Sequence, residues 1–346
     1  MTNNIRQAVI MVGGKGTRLR PLTNTVPKPA LPVLNKPCLK YLMESLVEGG
    51  IKEIFLACGY KSEILTEAIG NGSDMGVSIE YSYEPEPLGT CGAIKLLEDR
   101  LDGHFMAANG DVFADIDVKG EIERHLSSNA KATLALTRVK NPCEFGIVDL
   151  DETGRVIRFL EKPKPEDAFS DLINAGVYCL DRSILDYAPK DAFFDLSKDM
   201  FPILMNHEER IQGFVIQGIW RDVGRPSDLL GVNQIMANKI YGDFTWSEKK
   251  TVNSEINRPF YLGEGSCVQS SKVNASVILN SCKVADSRIT NSLILNGTTI
   301  ESAQVDSSII GNDCIISPGS RIVNAVIADG TIVGPGEAIE GDQVFK

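Results

Sequence analysis

The stretch Gln7-Ala8-Val9-Ile10-Met11-Val12-Gly13-Gly14-Lys15-Gly16-Thr17-Arg18-Leu19-Arg20-Pro21 decides how the rest of the chain is read. An apolar run of strand length leads straight into three glycines, a threonine and two arginines. A buried strand is therefore expected to deliver a flexible, donor-rich loop to the edge of a sheet. Such a loop can cradle a polyphosphate: glycines let backbone N–H groups approach an anion, and Arg18 together with Lys28, in Pro27-Lys28-Pro29, adds charge. A plain glycine turn between core elements is the competing reading, and it leaves the coupled Thr-Arg-Leu and Pro-Lys-Pro unexplained. Other phosphate loops do not fit. A Walker loop requires Gly-Lys-Ser/Thr after four intervening residues, and a dinucleotide fold requires Gly-x-Gly-x-x-Gly with an acidic residue about twenty positions on.

Working outward, strand and helix patterns alternate. Leu39, Leu42, Met43, Leu46 and Val47 recur at helical spacing and stop at Gly49-Gly50. Residues 53–58 read as a strand, 62–69 as a helix capped by Ser62, and 77–83 as a strand. A helix is expected over 93–101, then a strand over 104–108 that ends at Asn109-Gly110-Asp111. This alternation predicts a Rossmann-like α/β domain with a mostly parallel sheet, whose ligands sit beyond the carboxyl ends of its strands. From Lys131 to Trp220 the strands shorten (132–138, 146–149, 156–161, 173–180 and 213–217), which predicts a mixed extension of the same sheet. A helix over 226–240, with Pro226 in its first turn, closes the domain.

Beyond about residue 260 the pattern becomes periodic. Ala275-Ser276-Val277-Ile278-Leu279-Asn280, Asn291-Ser292-Leu293-Ile294-Leu295-Asn296, Ser307-Ser308-Ile309-Ile310-Gly311-Asn312 and Asn324-Ala325-Val326-Ile327-Ala328-Asp329 recur at intervals of 16, 16 and 17. Apolar residues return every five or six positions, too far apart for one helix face. Three short strands per coil of a left-handed parallel β-helix account for this; a meander of hairpins is the alternative. The expected divisions are 1–240, a linker over 241–259, and the β-helix over 260–346. The only histidines are at 104, 125 and 207, so a histidine-dependent acyltransferase in the coils is not expected.

Composition narrows the classes. Two domains suit 346 residues, and a formal net charge of -11 speaks against a nucleic-acid groove. Without a signal peptide or a bilayer-length apolar run, a cytoplasmic location and no membrane partner are expected. The eight cysteines are scattered without a Cys-x-x-Cys pair, and they read as reduced thiols, most of them buried.

The string Gly13-Gly14-x-Gly16-Thr17-Arg18-Leu19-x-Pro21, followed by Pro27-Lys28-Pro29, resembles the signature of the sugar-1-phosphate nucleotidyltransferases. These enzymes join a nucleoside triphosphate to a sugar 1-phosphate and release pyrophosphate. The resemblance implies that Gly13, Gly14, Gly16 and Thr17 bind the nucleotide phosphates, with Arg18, Lys28 and Asp111 catalytic. It also implies Mg2+ on Asp111 and on Asp222, in Trp220-Arg221-Asp222-Val223-Gly224. Lys162 is implied for the sugar phosphate, and Glu161 and Asn174 for sugar hydroxyls, helped by the backbone around Gly146. The segment Glu84-Pro85-Glu86-Pro87-Leu88-Gly89-Thr90-Cys91-Gly92-Ala93 resembles the base-binding part of the family, which implies nucleotide contacts at Glu84 and Gly89 and, at the later strand end, at Asn109 and Gly110. Its Pro-Leu-Gly-Thr-x-Gly form is most similar to the mannose-1-phosphate guanylyltransferase branch. Chemistry agrees: guanine offers two adjacent N–H donors that the Glu84 carboxylate can accept together, whereas uracil and thymine present acceptors. GTP is thus the favoured nucleotide. A thymidylyl- or uridylyltransferase acting on glucose 1-phosphate is the alternative, and so is a silent regulatory subunit. The open ends of the coils suggest a homo-oligomer.

Overall fold

The computed structural model describes residues 5–14, 16–59, 62–84, 86–240, 250–341 and 343–344. The chain forms two compact units, one of Met1–Gly14 and Leu39–Arg221, the other of Lys15–Cys38 and Asp222–Lys346.

The first unit is built on a nine-stranded sheet. Its main path runs Val156–Glu161, Gly146–Leu150, Leu172–Asp181, His104–Asn109, Gln7–Met11, Glu53–Cys58 and Ser78–Tyr83. Gln7–Met11 lies at the heart of the parallel part, with Ala8 opposite Ile54 on one side and Met106 on the other. Every residue of that strand is buried, as a strand paired on both edges and covered on both faces requires. Leu172–Asp181 runs antiparallel to His104–Asn109 and to Ala132–Arg138, and Ile211–Val215 joins the latter in parallel, so the sheet is mixed as expected.

Helices α1 (Cys38–Glu48) and α2 (Ser62–Ile69) stand where their patterns put them, although the Ser62 side chain falls outside the described residues. Helix α3 departs from expectation. It covers Gly89–Lys95 and is followed by a tight turn at Glu98–Arg100, instead of filling 93–101. Helix α4 (Val118–Ser128) is capped by Asp117, whose carboxylate accepts the Gly120 N–H at 3.0 Å. It packs against the strands Ala132–Arg138, Leu172–Asp181 and Ile211–Val215. Helix α5 (Phe201–Asn206) continues a wider turn at Leu196–Met200.

The second unit holds α6 (Pro226–Lys239), with Pro226 in its first turn, and the coils. Of the linker expected over 241–259, residues 241–249 lie outside the described residues, and coil strands already stand at Thr251–Val252 and Glu255–Leu262. Every coil strand pairs in parallel with its equivalent one coil on, in three ladders: Val268, Val284, Ile300, Ile316 and Val333; Val273, Ile289, Val305, Ile322 and Ile339; Val277, Leu293, Ile309 and Val326. This is the expected parallel β-helix; the hairpin meander is excluded. Its short strands and nearly constant 16-residue coil agree with the left-handed kind. The corners are taken by residues in the left-handed backbone region, for example Ala275, Asn291, Ser307 and Asn324, with φ between 46° and 51°. Small and polar residues carry that conformation at the least cost, which is why polar corners separate the apolar triplets.

Buried hydroxyls line one corner. Ser276 donates to the Asn274 carbonyl at 2.7 Å and accepts the Ser292 N–H at 3.1 Å; Ser292 repeats the pattern with Thr290 and Ser308. Each serine therefore satisfies an N–H that the corner would otherwise leave unpaired. Ser292→Ala is expected to orphan the Ser308 N–H and to destabilise the coils by about 1–3 kcal/mol, seen as a lower urea midpoint.

Candidate active site

In the first unit the site is built where the central strand stops. Val12 still donates to the Ala57 carbonyl at 2.9 Å, but Gly13 and Gly14 are exposed and their N–H groups bond to no described residue. Among the described residues those two donors have no acceptor and stand open to an anion. The second strand brings Gly59 against the loop, so close that a Cβ on Gly59 would lie 3.2 Å from the Gly13 Cα. Gly110 is packed under it from the other side, its N–H donating to the Met11 carbonyl at 2.8 Å. Asn109 and the exposed Asp111 are thereby presented at the same strand ends as Gly13.

Glu84 also belongs here. Its Oε1 lies 3.9 Å from where a Cβ on Gly13 would stand, and its Oε2 accepts the Leu88 N–H at 3.0 Å. That bond closes the turn leading to α3 and leaves Oε1 directed at the loop side. Burial, and secondarily the Glu84 charge, push the neighbouring Cys58 thiol up to about 12, so Cys58 stays protonated. Gly89 starts α3 with φ +74°, and a Cβ there would lie 2.7 Å from the Phe194 carbonyl oxygen, which accepts the N–H groups of Cys91 and Gly92. Only glycine fits that approach.

A second group of predicted residues gathers on the antiparallel half of the same unit. Gly146 and Glu161 are register partners, with the Glu161 Oε2 2.7 Å from a Cβ placed on Gly146. Burial raises the Glu161 carboxyl above its usual range; Lys162 opposes this, Asp195 adds to it and Lys198 opposes it. Lys162 is exposed at the strand end in the left-handed region (φ 47°), and its N–H donates to the Phe145 carbonyl at 3.0 Å. A lysine held there carries backbone strain of the kind found at ligand sites.

Asn174 is differently employed. Its Nδ2 donates to the Tyr178 hydroxyl at 2.9 Å and the Ser197 Oγ at 3.3 Å, and its Oδ1 accepts the Gly176 N–H at 3.0 Å. The side chain is buried and its amide is spent on fixing the strand and the Ser197 segment. Trp220 completes this wall, donating to the Ala175 carbonyl at 2.8 Å and meeting Phe145 edge-on.

Thr90 and Asp195 were not singled out by the sequence. Thr90 donates to the Asp195 Oδ2 at 2.9 Å and accepts the Leu196 N–H at 2.8 Å, tying the base-side turn to the segment that faces Glu161. The signal available, an aspartate ahead of a helical run, marks a cap, and Asp195 does cap Ser197 and Lys198.

The remaining predicted residues lie in the second unit. Gly16 precedes the turn Thr17–Leu19, its carbonyl accepting the Thr23 hydroxyl at 2.8 Å; Thr17 and Arg18 are exposed while Leu19 is buried. Lys28 is 7% exposed, and its ammonium lies 3.5 Å from the Asp222 Oδ1. A Cβ on Gly224 would stand 2.9 Å from the Asp222 Oδ2 and 3.2 Å from an Arg18 guanidinium nitrogen. Arg18, Lys28 and Asp222 thus form one charged cluster around Gly224.

Asp111 on the first unit and Asp222 on the second are each a carboxylate of the type that Mg2+ takes, one or two at a time, beside water and substrate phosphate. Among the described residues no three His, Cys, Asp or Glu side chains stand together as a metal cage. Among the described residues no cysteine is joined in a disulfide, and only Cys143 and Cys267 are not buried. Among the described residues no helix is long and apolar enough to cross a membrane.

The family model for nucleotidyl transferases matches residues 7–239. The chain belongs to the nucleotidyl transferase family. Similar curated proteins include the mannose-1-phosphate guanylyltransferase of Mycobacterium tuberculosis, 40% identical over 225 residues, or 64% of this chain and 62% of that protein. The mannose-1-phosphate guanyltransferase of Saccharomyces cerevisiae is 36% identical over 240 residues, 68% of this chain and 65% of that one. The match therefore spans slightly less than two thirds of these relatives' length. Among solved structures, HddC from Yersinia pseudotuberculosis complexed with GMP-PN is similar with a TM-score of 0.57 and 29% identity, over 67% of this chain and 100% of that one.

Proposed function

We propose that this nucleotidyl transferase makes GDP-mannose from GTP and mannose 1-phosphate. The observation that carries the reading is the pair of open N–H groups at Gly13 and Gly14 with the Glu84 carboxylate beside them. A phosphate-binding loop next to an acceptor for guanine's two N–H donors suits GTP, and the names of the similar proteins agree. In this reading the loop takes the triphosphate while Arg18 and Lys28 neutralise it, so that a second anion can approach the α-phosphorus in line. Lys162 receives the sugar phosphate, already ionised near pH 7, so no base is required. Glu161 accepts sugar hydroxyls against the backbone at Gly146, and Asn174 acts by holding the wall in place. Asp111 and Asp222 would hold Mg2+, which supplies charge neutralisation on the phosphate oxygens. Self-association through the β-helix is part of the proposal, with sedimentation as its test.

Pyrophosphate release by the purified chain tests the reading across GTP, UTP, dTTP and ATP, each with mannose 1-phosphate and glucose 1-phosphate. GTP with mannose 1-phosphate is expected to lead by at least about tenfold in kcat/KM. Preference for a pyrimidine nucleotide removes the Glu84 assignment, and no release with any pair favours the regulatory subunit.

A further inference from the structure

The second unit contains a cleft of about 330 Å³ that the proposed reaction does not use. One wall is the chain from Leu22 to Pro37; the other is a β-helix corner where Asn280, Asn296, Asn312 and Asp329 stand above one another. Successive coils are spaced as neighbouring strands are, roughly 4.8 Å, so the four rungs extend over about 14 Å. Much of this stack's hydrogen bonding is internal. The N–H groups of Glu264, Asn280, Asn296 and Asn312 donate to the side-chain oxygen one coil on, at 2.8 to 3.2 Å. The Nδ2 groups of Asn296 and Asn312 donate along the stack as well.

The ends differ. Among the described residues the Asn280 Nδ2 has no acceptor and the Asp329 Oδ2 accepts only the Thr25 hydroxyl, at 2.8 Å, with lone pairs to spare. The cleft therefore offers an amide donor at one end and a carboxylate acceptor at the other. The facing wall offers apolar surface at Leu22, Val26 and Pro32, beside the polar Asn35 and Lys36. Amides and a carboxylate that can each engage neighbouring hydroxyls, set across from C–H surface, match the two faces of a pyranose ring. A hydroxylated ring presents an equatorial belt of donors and acceptors and an apolar face. Asp329 counts against an anion, since Lys36 in the lining no more than balances its charge.

We propose that this cleft is a binding site for a neutral saccharide of one or two pyranose units, separate from the nucleotide-transfer site. The reading of the reaction above is not needed for it. The cleft wall is the same run of chain that carries Lys28. Asn233, buried on α6, fixes that run by accepting the Leu34 N–H at 2.7 Å and donating to the Pro32 carbonyl at 3.1 Å.

The test is titration calorimetry of the full chain with methyl α-mannoside, methyl α-glucoside and maltose, with and without saturating GTP. Binding in the millimolar range or tighter is expected, unchanged by GTP and by mannose 1-phosphate. Val26→Trp, which fills the cleft from a half-exposed position, and Asp329→Asn, which keeps the shape but removes the charge, are each expected to weaken it at least about tenfold. No binding of any of the three, displacement by mannose 1-phosphate, or equal binding by both variants overturns the proposal. Inorganic phosphate binding in the cleft in place of the saccharides also overturns it.

Discussion

Arg18→Ala is expected to lower kcat, and kcat/KM with it, by roughly a thousandfold, while the chain stays folded. The guanidinium is exposed beside Gly224, in one cluster with Lys28 and Asp222, so the residue anchors no core. Its removal leaves the packing of Leu19, which is fully buried next to it, undisturbed. In the proposed reaction it removes positive charge where two phosphates meet, and that charge matters most when negative charge spreads over the transferring phosphoryl group. Arg18→Lys keeps the charge but loses the planar fork, and is expected to recover only part of the rate. Steady-state kinetics of both variants, with melting temperatures alongside, make the check. An alanine variant that turns over like the parent would remove Arg18 from the chemistry, whatever happens to binding. The charged neighbour makes a further distinction possible. Since Lys28 is buried and pairs with Asp222, Lys28→Ala leaves a buried gap and removes one ion pair, and should cost stability as well as rate, whereas Arg18→Ala, at an exposed position, should cost rate alone.

The β-helix was legible because its period is written into the chain: Val277, Leu293, Ile309 and Val326 are register partners at the spacing of the repeat itself. The central strand was legible for a related reason, since burial on both faces demands an unbroken apolar run. Helix α3 was not. Gly89 and Thr90 look like loop, and what starts the helix there is a carbonyl a hundred residues away, Phe194, accepting two of its N–H groups. The strand Gly218–Asp222 was missed as well. Trp220 and Arg221 drew attention as neighbours of Asp222, not as a strand that pairs with Val112–Ile116. In the site, residue type announced the charged groups but not their employment. Asn174 reads like a sugar ligand, yet Tyr178, Ser197 and Gly176 occupy its amide, contacts that no spacing in the sequence could disclose.

Glu121 leads to the second large effect. It is fully buried on α4, and neither carboxylate oxygen has a hydrogen-bond partner among the described residues. Burial alone pushes its carboxyl from 4.5 up to about 8, so the folded protein holds a proton there at neutral pH that the unfolded chain releases. The sign follows from that difference. Below about pH 4.5 both states are protonated and Glu121 carries no ionisation penalty. As pH rises from 4.5 to about 8, folding must retain a proton the unfolded chain gives up, and stability falls. At pH 7 the loss is on the order of 3 kcal/mol, a large share of a typical domain's stability. Nearby His125 acts in the opposite direction. Burial, reinforced by His104, holds it down to about 4, so its contribution is lost as pH falls from 6.5 toward 4. Glu121→Met keeps the volume and removes the titration, and it is expected to raise stability at pH 8 by about 2–4 kcal/mol and to flatten the profile above pH 6.5. The decline on the acid side, set in part by His125, should remain. Urea unfolding of parent and variant at pH 5, 6.5 and 8 makes the comparison; a variant less stable than the parent at pH 8 would mean that the carboxyl has a partner the fold requires.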